Sequence, residues 1–199
     1  MLDDWQNKNI ANTQLTFTNR EKQLILGTLL GNSSIIKPKK SKNPHFQMRE
    51  SIAKGGTWIR CKAYELQRFS RSKSFVADKD SFRWNSISCP CWNEFYDLCY
   101  KKNKKHISMD WLDMLQDFGL ACWFMDKGNV TKKNVSLRIS RLDKKSVDNI
   151  YDYFEIIGIA GEIKNFGGSK IISFKEQNKI RFMHLIGQKL PVYKRIEFS

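Results

Sequence analysis

Apolar positions along the chain follow helical and strand periods in an order that repeats once. Thr18-Asn19-Arg20-Glu21 has the spacing of a capping box, in which the threonine hydroxyl and the glutamate carboxylate satisfy each other's end of a new helix. The run Leu24-Ile25-Leu26-Gly27-Thr28-Leu29-Leu30-Gly31 is apolar on almost every side, which predicts a helix buried on more than one face. Gly27 and Gly31 weaken a helix and are tolerable where another backbone must come close. Asn32-Ser33-Ser34 ends it, and Ile35 to Asn43, with Lys37, Lys39, Lys40 and Lys42, reads as an exposed strand end and loop. His45 to Ile52 alternates as a strand does. After Gly55-Gly56, Trp58 to Phe69 reads as a helix with Trp58, Cys61 or Ala63, Leu66 and Phe69 on its apolar side. Ser81 to Ser88 predicts a further strand, and Trp92 to Tyr100 a helix, followed by the basic connector Lys101-Lys102-Asn103-Lys104-Lys105.

The order then restarts. Ser108 opens a helix that is expected to run unbroken to Asp126, ended by Lys127-Gly128-Asn129. Val135 to Ser140 alternates as a strand. Lys144 to Ile156 carries Val147, Ile150, Tyr151 and Phe154 at helical spacing and is capped by Gly158. Ile159 to Phe166 and Lys170 to Phe174 predict strands around Gly167-Gly168, Glu176 to Ile186 a final amphipathic helix, and Leu190 to Phe198 a basic tail. A buried helix followed by strands, helix, strands and helix thus occurs twice, the mark of an internal repeat. The divisions expected are an N-terminal extension over 1–17, a first repeat over 18–103 and a second over 104–199.

Charge narrows the function. Lys plus Arg number 35 against 20 Asp plus Glu in 199 residues, a net +15 with an isoelectric point near 9.7. Such a surplus repels itself in a compact chain and is usually offset by a polyanion, most often nucleic acid. With 41% hydrophobic residues the chain can bury a core, which excludes wholesale disorder. The sequence predicts no membrane span, and the acidic start Met1-Leu2-Asp3-Asp4-Trp5 resembles neither a signal nor a transit peptide. Five cysteines at irregular spacing make a poor disulfide framework. Cys89-Pro90-Cys91 is therefore read as buried free thiols, and neither it nor the scattered His45, His106 and His184 suggests a metal site. Trp58, Trp84, Trp92, Trp111 and Trp123 are expected in the core.

Leu24 to Ile35 resembles the first motif of the LAGLIDADG homing endonucleases, and Leu120-Ala121-Cys122-Trp123-Phe124-Met125-Asp126-Lys127-Gly128 resembles the second, in the form found in intron-encoded, mitochondrial-type members. Phe95-Tyr96 with Lys104 to Ser108 is similar to that subgroup's linker, and Leu190-Pro191-Val192-Tyr193-Lys194 to its C-terminal signature. The resemblance implies an α+β fold. It would have two pseudo-symmetric αββαββα-type halves, with Gly27, Gly31 and Ala121 at the helix interface and antiparallel sheets forming a saddle over DNA. It also implies a pair of carboxylates, one ending each motif, that holds Mg²⁺ to activate water.

This chain departs from the family at both acids. The first falls on Asn32 and the second on Lys127; Asp126 is the fallback, about 100° round the helix if the helix stays regular. One like-charge pair at about 4 Å costs about 4 kcal/mol at an effective dielectric near 20, enough to empty a metal site. The expectation is a retained scaffold with no metal, no intact catalytic residue and a lost nuclease, whose Lys127 either contacts a phosphate or extends into solvent. The candidate nucleic-acid contacts are Lys37, Lys39, Lys40, Lys42, Arg49, Arg83, Asn85, Lys132, Arg138 and Lys170, with Trp84 considered beside them. The partner expected is structured RNA, either a group I intron or ribosomal RNA within a larger assembly such as a ribosome, bound by a monomer with no membrane association. The alternatives are double-stranded DNA held by a regulator, or an active Mg²⁺-dependent homing endonuclease. The family resemblance and a Lys-, Asn- and Ile-rich composition point to an organelle, the mitochondrion foremost.

Overall fold

The computed structural model describes residues 15–39, 41–139 and 142–191. In chain order these form α1 (Asn19–Leu30), β1 (Ser33–Ile36), β2 (His45–Ser51), α2 (Thr57–Glu65), β3 (Phe75–Ala77), β4 (Ser81–Asn85), α3 (Asn93–Cys99), β5 (Tyr100–Lys101), β6 (Lys104–Lys105), α4 (Met109–Asp113), α5 (Asp117–Lys127), β7 (Gly128–Val130), β8 (Asn134–Arg138), α6 (Lys144–Ile156), β9 (Glu162–Phe166), β10 (Ser169–Lys175) and α7 (Glu176–Gly187). The class is α+β, with wholly antiparallel sheets. The chain divides into two compact units: residues through Lys22 with Ser33–Tyr96, and Gln23–Asn32 with the chain from Asp97 onward. Most of α1 therefore belongs to the second unit.

The first unit holds a sheet of order β1-β2-β4-β3. Alternation along β2 buries Phe46, Met48 and Glu50 and turns Gln47, Arg49 and Ser51 to the other face. Glu50 can lie in the core because its carboxylate accepts the Ile59 amide at 2.8 Å in the first turn of α2, where amides lack partners of their own. Phe17, Phe46, Phe69, Trp92 and Phe95 form one aromatic cluster, with Phe46 stacked on Trp92 at 5.3 Å. The capping box is present: the Thr18 amide donates to Glu21 Oε2 at 2.7 Å and the Glu21 amide to Thr18 Oγ1 at 3.2 Å. Arg68 Nε also donates to Glu21 Oε1 at 2.6 Å.

The second unit repeats the sheet with order β7-β8-β10-β9. Both sheets thus place their four strands in the same 1-2-4-3 sequence, the signature of the internal repeat. Trp123, Phe154, Phe174 and Phe182 fill the core beneath it, with Phe174 stacked on Phe182 at 4.9 Å. Asp143 caps α6 by accepting the Ser146 amide at 2.8 Å.

Several expectations need correction. The helix predicted over 108–126 is two helices, interrupted at Met114–Gln116. Gln23 of α1 stabilises the interruption: its Nε2 donates to the Met114 carbonyl at 2.8 Å and its Oε1 accepts the Gln116 amide at 2.7 Å. The helix expected to reach Phe69 ends at Glu65 and continues as a 3₁₀ turn, Gln67–Phe69, and the strand expected to reach Ser88 ends at Asn85. The basic connector is a β-hairpin, Tyr100–Lys101 against Lys104–Lys105. Cys89 and Cys91, expected as free thiols, are joined by a disulfide, while Cys61, Cys99 and Cys122 are free. Trp84, Trp92, Trp111 and Trp123 are core residues; Trp58 is half-buried, with the Lys62 ammonium 5.3 Å above its ring. The first extension (1–17) lies largely outside the described residues, as do Lys40, Ser140 and the tail from Val192, including most of the C-terminal signature. Among the described residues no helix is long and apolar enough to cross a membrane.

Candidate nucleic-acid interface and the helix-end centre

Within the second unit α1 lies against α5, and glycine makes the approach possible. A Cβ on Gly27 would sit 2.0 Å from the Gly119 carbonyl oxygen and 3.0 Å from Cys122 Cβ. A Cβ on Gly119 would meet Gln23 Oε1 at 2.6 Å, and one on Gly31 would meet Asp126 Oδ2 at 2.3 Å. Gly27 and Gly31 therefore stand where close packing forbids a side chain. Ala121 is buried in α5, but Gly119 and Cys122 are the residues that face Gly27.

The two helices end beside one another. Asp126, buried to 3% exposure, turns its carboxylate onto the end of α1: the Asn32 amide donates to Oδ2 at 2.9 Å, and Asn32 Nδ2 donates to the Asp126 carbonyl at 3.3 Å. Asp126 thus ties the residue that follows α1 to the end of α5. Lys127 and Asn32 are both partly exposed. A third residue joins them: Lys105 Nζ donates to the Leu29 carbonyl at 2.6 Å, in the last turn of α1 where carbonyls lack intrahelical partners. The residue keeps some exposed surface, but its ammonium is enclosed. Burial drives its pKa down to about 8, helped by the Lys127 charge and opposed by Cys99 and Asp126.

One carboxylate, one amide and two ammoniums meet here. Divalent cations of the magnesium type need oxygen donors, usually carboxylates. This set holds a single carboxylate with two ammoniums beside it, so these residues do not fit a divalent cation. Among the described residues no cluster of three His, Cys, Asp or Glu side chains could hold one.

The sheet faces carry most of the remaining candidates. In the first unit Arg49 lies directly opposite Arg83, and Gln47 opposite Asn85, so all four share the face turned from the core. Gln47 Nε2 donates to Asn85 Oδ1 at 2.7 Å, and Arg83 pairs with Asp78 at 3.1 Å. Lys37, Lys39 and Lys42 are exposed on the connection from β1 to β2, Lys37 lying 5.2 Å from the Tyr96 ring centre. Trp84 faces the opposite way, into the core, with its indole nitrogen donating to Ser70 Oγ at 3.2 Å; burial removes it from the candidate contacts. In the second unit Arg138 is exposed opposite Ile171, on the face it shares with Lys164. Lys170, one residue out of phase with Ile171, projects to the other side at the strand's end. Lys132 is exposed on the β7–β8 turn, which Lys179 holds by donating to the Thr131 and Lys132 carbonyls at 3.0 and 2.9 Å. Sequence reasoning missed Gln47, Gln23, Gly119 and Lys105. Alternation through Phe46 and Met48 marks Gln47, and a lone amide in an apolar helix marks Gln23; Lys105 lies in the linker-like run Lys104 to Ser108, which does not show that it reaches the end of α1.

A two-repeat α+β fold with two glycine-packed helices ending side by side is the fold of endonuclease-type, nucleic-acid-binding proteins. The chain belongs to the LAGLIDADG DNA endonuclease family, whose model matches residues 22–182. Among solved structures it is similar to the homing endonuclease I-WcaI bound to its DNA recognition sequence, with a TM-score of 0.83 at 18% identity over 97% of this chain and 92% of that one. It is also similar to I-DmoI in complex with DNA and Ca, at 0.61 and 13% identity over 91% and 98%. The N-terminal LAGLIDADG domain of DUF199/WhiA matches at 0.51 and 9% identity over 100% and 96%. These likenesses establish the fold. No curated protein matches the chain.

Proposed function

We propose that this protein grips nucleic acid on the basic, outward faces of its sheets and leaves the phosphodiester backbone uncut. The observation that carries this reading is the helix-end centre: Asn32 and Lys127 stand at the positions of the family's two acids, and the one nearby carboxylate, Asp126, accepts the Asn32 amide. Hydrolysis through a divalent cation would need Asp126, the one carboxylate of this centre, to bind a metal beside two ammoniums. Arg49, Arg83, Arg138, Lys132 and the lysines of the β1–β2 connection supply the charge for backbone contacts, which position a polynucleotide. Gln47 and Asn85 supply amides of the kind that read base edges.

Structured RNA is the target in this reading. A scaffold without cleavage chemistry serves a cell through binding alone, as a maturase-like helper of a group I intron or as a component seated on ribosomal RNA, in the mitochondrion. Recognition would then rest on phosphates, 2′-hydroxyls and loops, since the A-form major groove is too narrow for strands. Crosslinking in the native source, followed by sequencing of the attached nucleic acid, tests the choice. Recovery of one intron or ribosomal transcript is expected. Recovery of a defined genomic DNA site instead would overturn the RNA assignment, and recovery of neither would overturn binding itself.

A further inference from the structure

We propose that the hairpin Tyr100–Lys105 is a separate phosphate grip, in which Lys101 and Lys104 hold the backbone of the bound nucleic acid and Lys105 is the residue that positions them. The inference rests on the binding reading above and adds to it a contact surface outside the two four-stranded sheets. The hairpin pairs Lys101 directly with Lys104 and Tyr100 with Lys105. Directly opposed residues project from the same side of a two-stranded ribbon, with Cβ atoms about 5 Å apart. One side of the ribbon therefore presents Lys101 and Lys104, both exposed, and the other carries Lys105 to the Leu29 carbonyl at 2.6 Å.

Three features of these few residues work against folding. Like charges directly opposed across a ribbon repel. Both turn residues take left-handed backbone, Lys102 at φ 50° and Asn103 at φ 61°; the tight turn demands this geometry, which suits asparagine or glycine but strains lysine. Lys105 keeps an ammonium where burial disfavours it. Local conflicts gathered in one segment mark a site kept for function. A phosphate placed against Lys101 and Lys104 turns the repulsion into a bidentate attraction, and Lys105 fixes that pair beside the end of α1.

The test compares full-length wild type, Lys101→Gln/Lys104→Gln, Lys105→Met and the control Lys189→Gln, an exposed lysine beyond α7. Affinity is measured against salt on a mixed-sequence DNA duplex and on a folded RNA transcript. On the duplex the double variant should flatten the slope of log affinity against log salt by about 0.9 if the pair shares one phosphate, or about 1.8 if each takes its own. Lys105→Met should lower the slope by a similar amount with a melting temperature equal to or above wild type, whereas a merely structural lysine would lower it. Lys189→Gln should leave the slope unchanged. An unchanged slope in the double variant, or an equal loss in Lys189→Gln, overturns the grip. An unchanged slope in Lys105→Met, or a slope loss with a lower melting temperature, overturns its positioning role. Failure of wild type to bind either probe would instead refute the binding reading itself.

Discussion

Replacing Lys105 by methionine should stabilise the protein at neutral pH and flatten its stability at alkaline pH. The ammonium's pKa falls from an ordinary 10.5 to about 8, chiefly because it is buried. A lysine titrating lower in the folded than in the unfolded state leaves the unfolded chain holding more protons between those values. Stability therefore rises with pH from about 8 to about 10.5, and below about 8 the full penalty is present. A tenfold loss of proton affinity is worth about 1.4 kcal/mol, so the penalty at pH 7 is about 3 kcal/mol. Methionine keeps the length of the stem and forfeits the hydrogen bond to the Leu29 carbonyl, a loss of about 1 kcal/mol. A net gain of about 2 kcal/mol should raise the melting temperature by roughly 4–8 °C. The assay is chemical denaturation of both proteins from pH 7 to pH 10.5. Tyrosines and other groups titrate in the same window, so the readout is the difference between the two. That difference should shrink steadily as pH rises past 8. A constant difference, or a less stable variant at pH 7, would refute the assignment of a desolvated ammonium at this position.

Other perturbations test the packing that builds the helix-end centre. Gly27→Ala would drive a methyl group to 2.0 Å from the Gly119 carbonyl oxygen; backbone cannot yield as a side chain does, so a loss of about 3 kcal/mol or more is expected in thermal denaturation. Gln23→Leu leaves the Met114 carbonyl and the Gln116 amide without their partner, and should cost about 2–4 kcal/mol with loss of hydrogen-exchange protection at Gln116. Burial raises the Glu21 pKa, but the hydrogen bonds from Arg68 and Thr18 outweigh it and hold the carboxyl below its ordinary 4.5. Its contribution is therefore present above that value and is lost as pH falls below it. Arg68→Met should move the acid-unfolding midpoint to higher pH, as followed by circular dichroism.

The elements with strong local patterns were legible in the sequence. The helix Lys144–Ile156 begins and ends where its spacing and cap place it, because Asp143 and the left-handed Gly158 lie within the segment they terminate. The capping box at Thr18 and the glycine-bearing helix after it are equally local. What the sequence hid depends on residues far apart along the chain. The run from Ser108 to Asp126 reads as one helix, since its break is satisfied by Gln23, some ninety residues earlier. The strands Phe75–Ala77 and Gly128–Val130 are too short to show a period. The hairpin at Lys101–Lys104 contradicts the usual turn chemistry, so a charge run there reads as a loop. At the helix ends the replacement of both acids is visible in the motif itself. The binding of Asp126 to Asn32 and the presence of Lys105 are not, because both arise from elements that meet only on folding.

The central claim is that this protein holds a polyanion without breaking it. The most direct measurement incubates the purified full-length protein with radiolabelled DNA and RNA in excess Mg²⁺ or Mn²⁺, and follows binding and strand scission in the same samples. The account predicts a retained, salt-sensitive complex with every strand intact. Site-specific cleavage that requires the divalent ion and disappears in Asp126→Ala would contradict it.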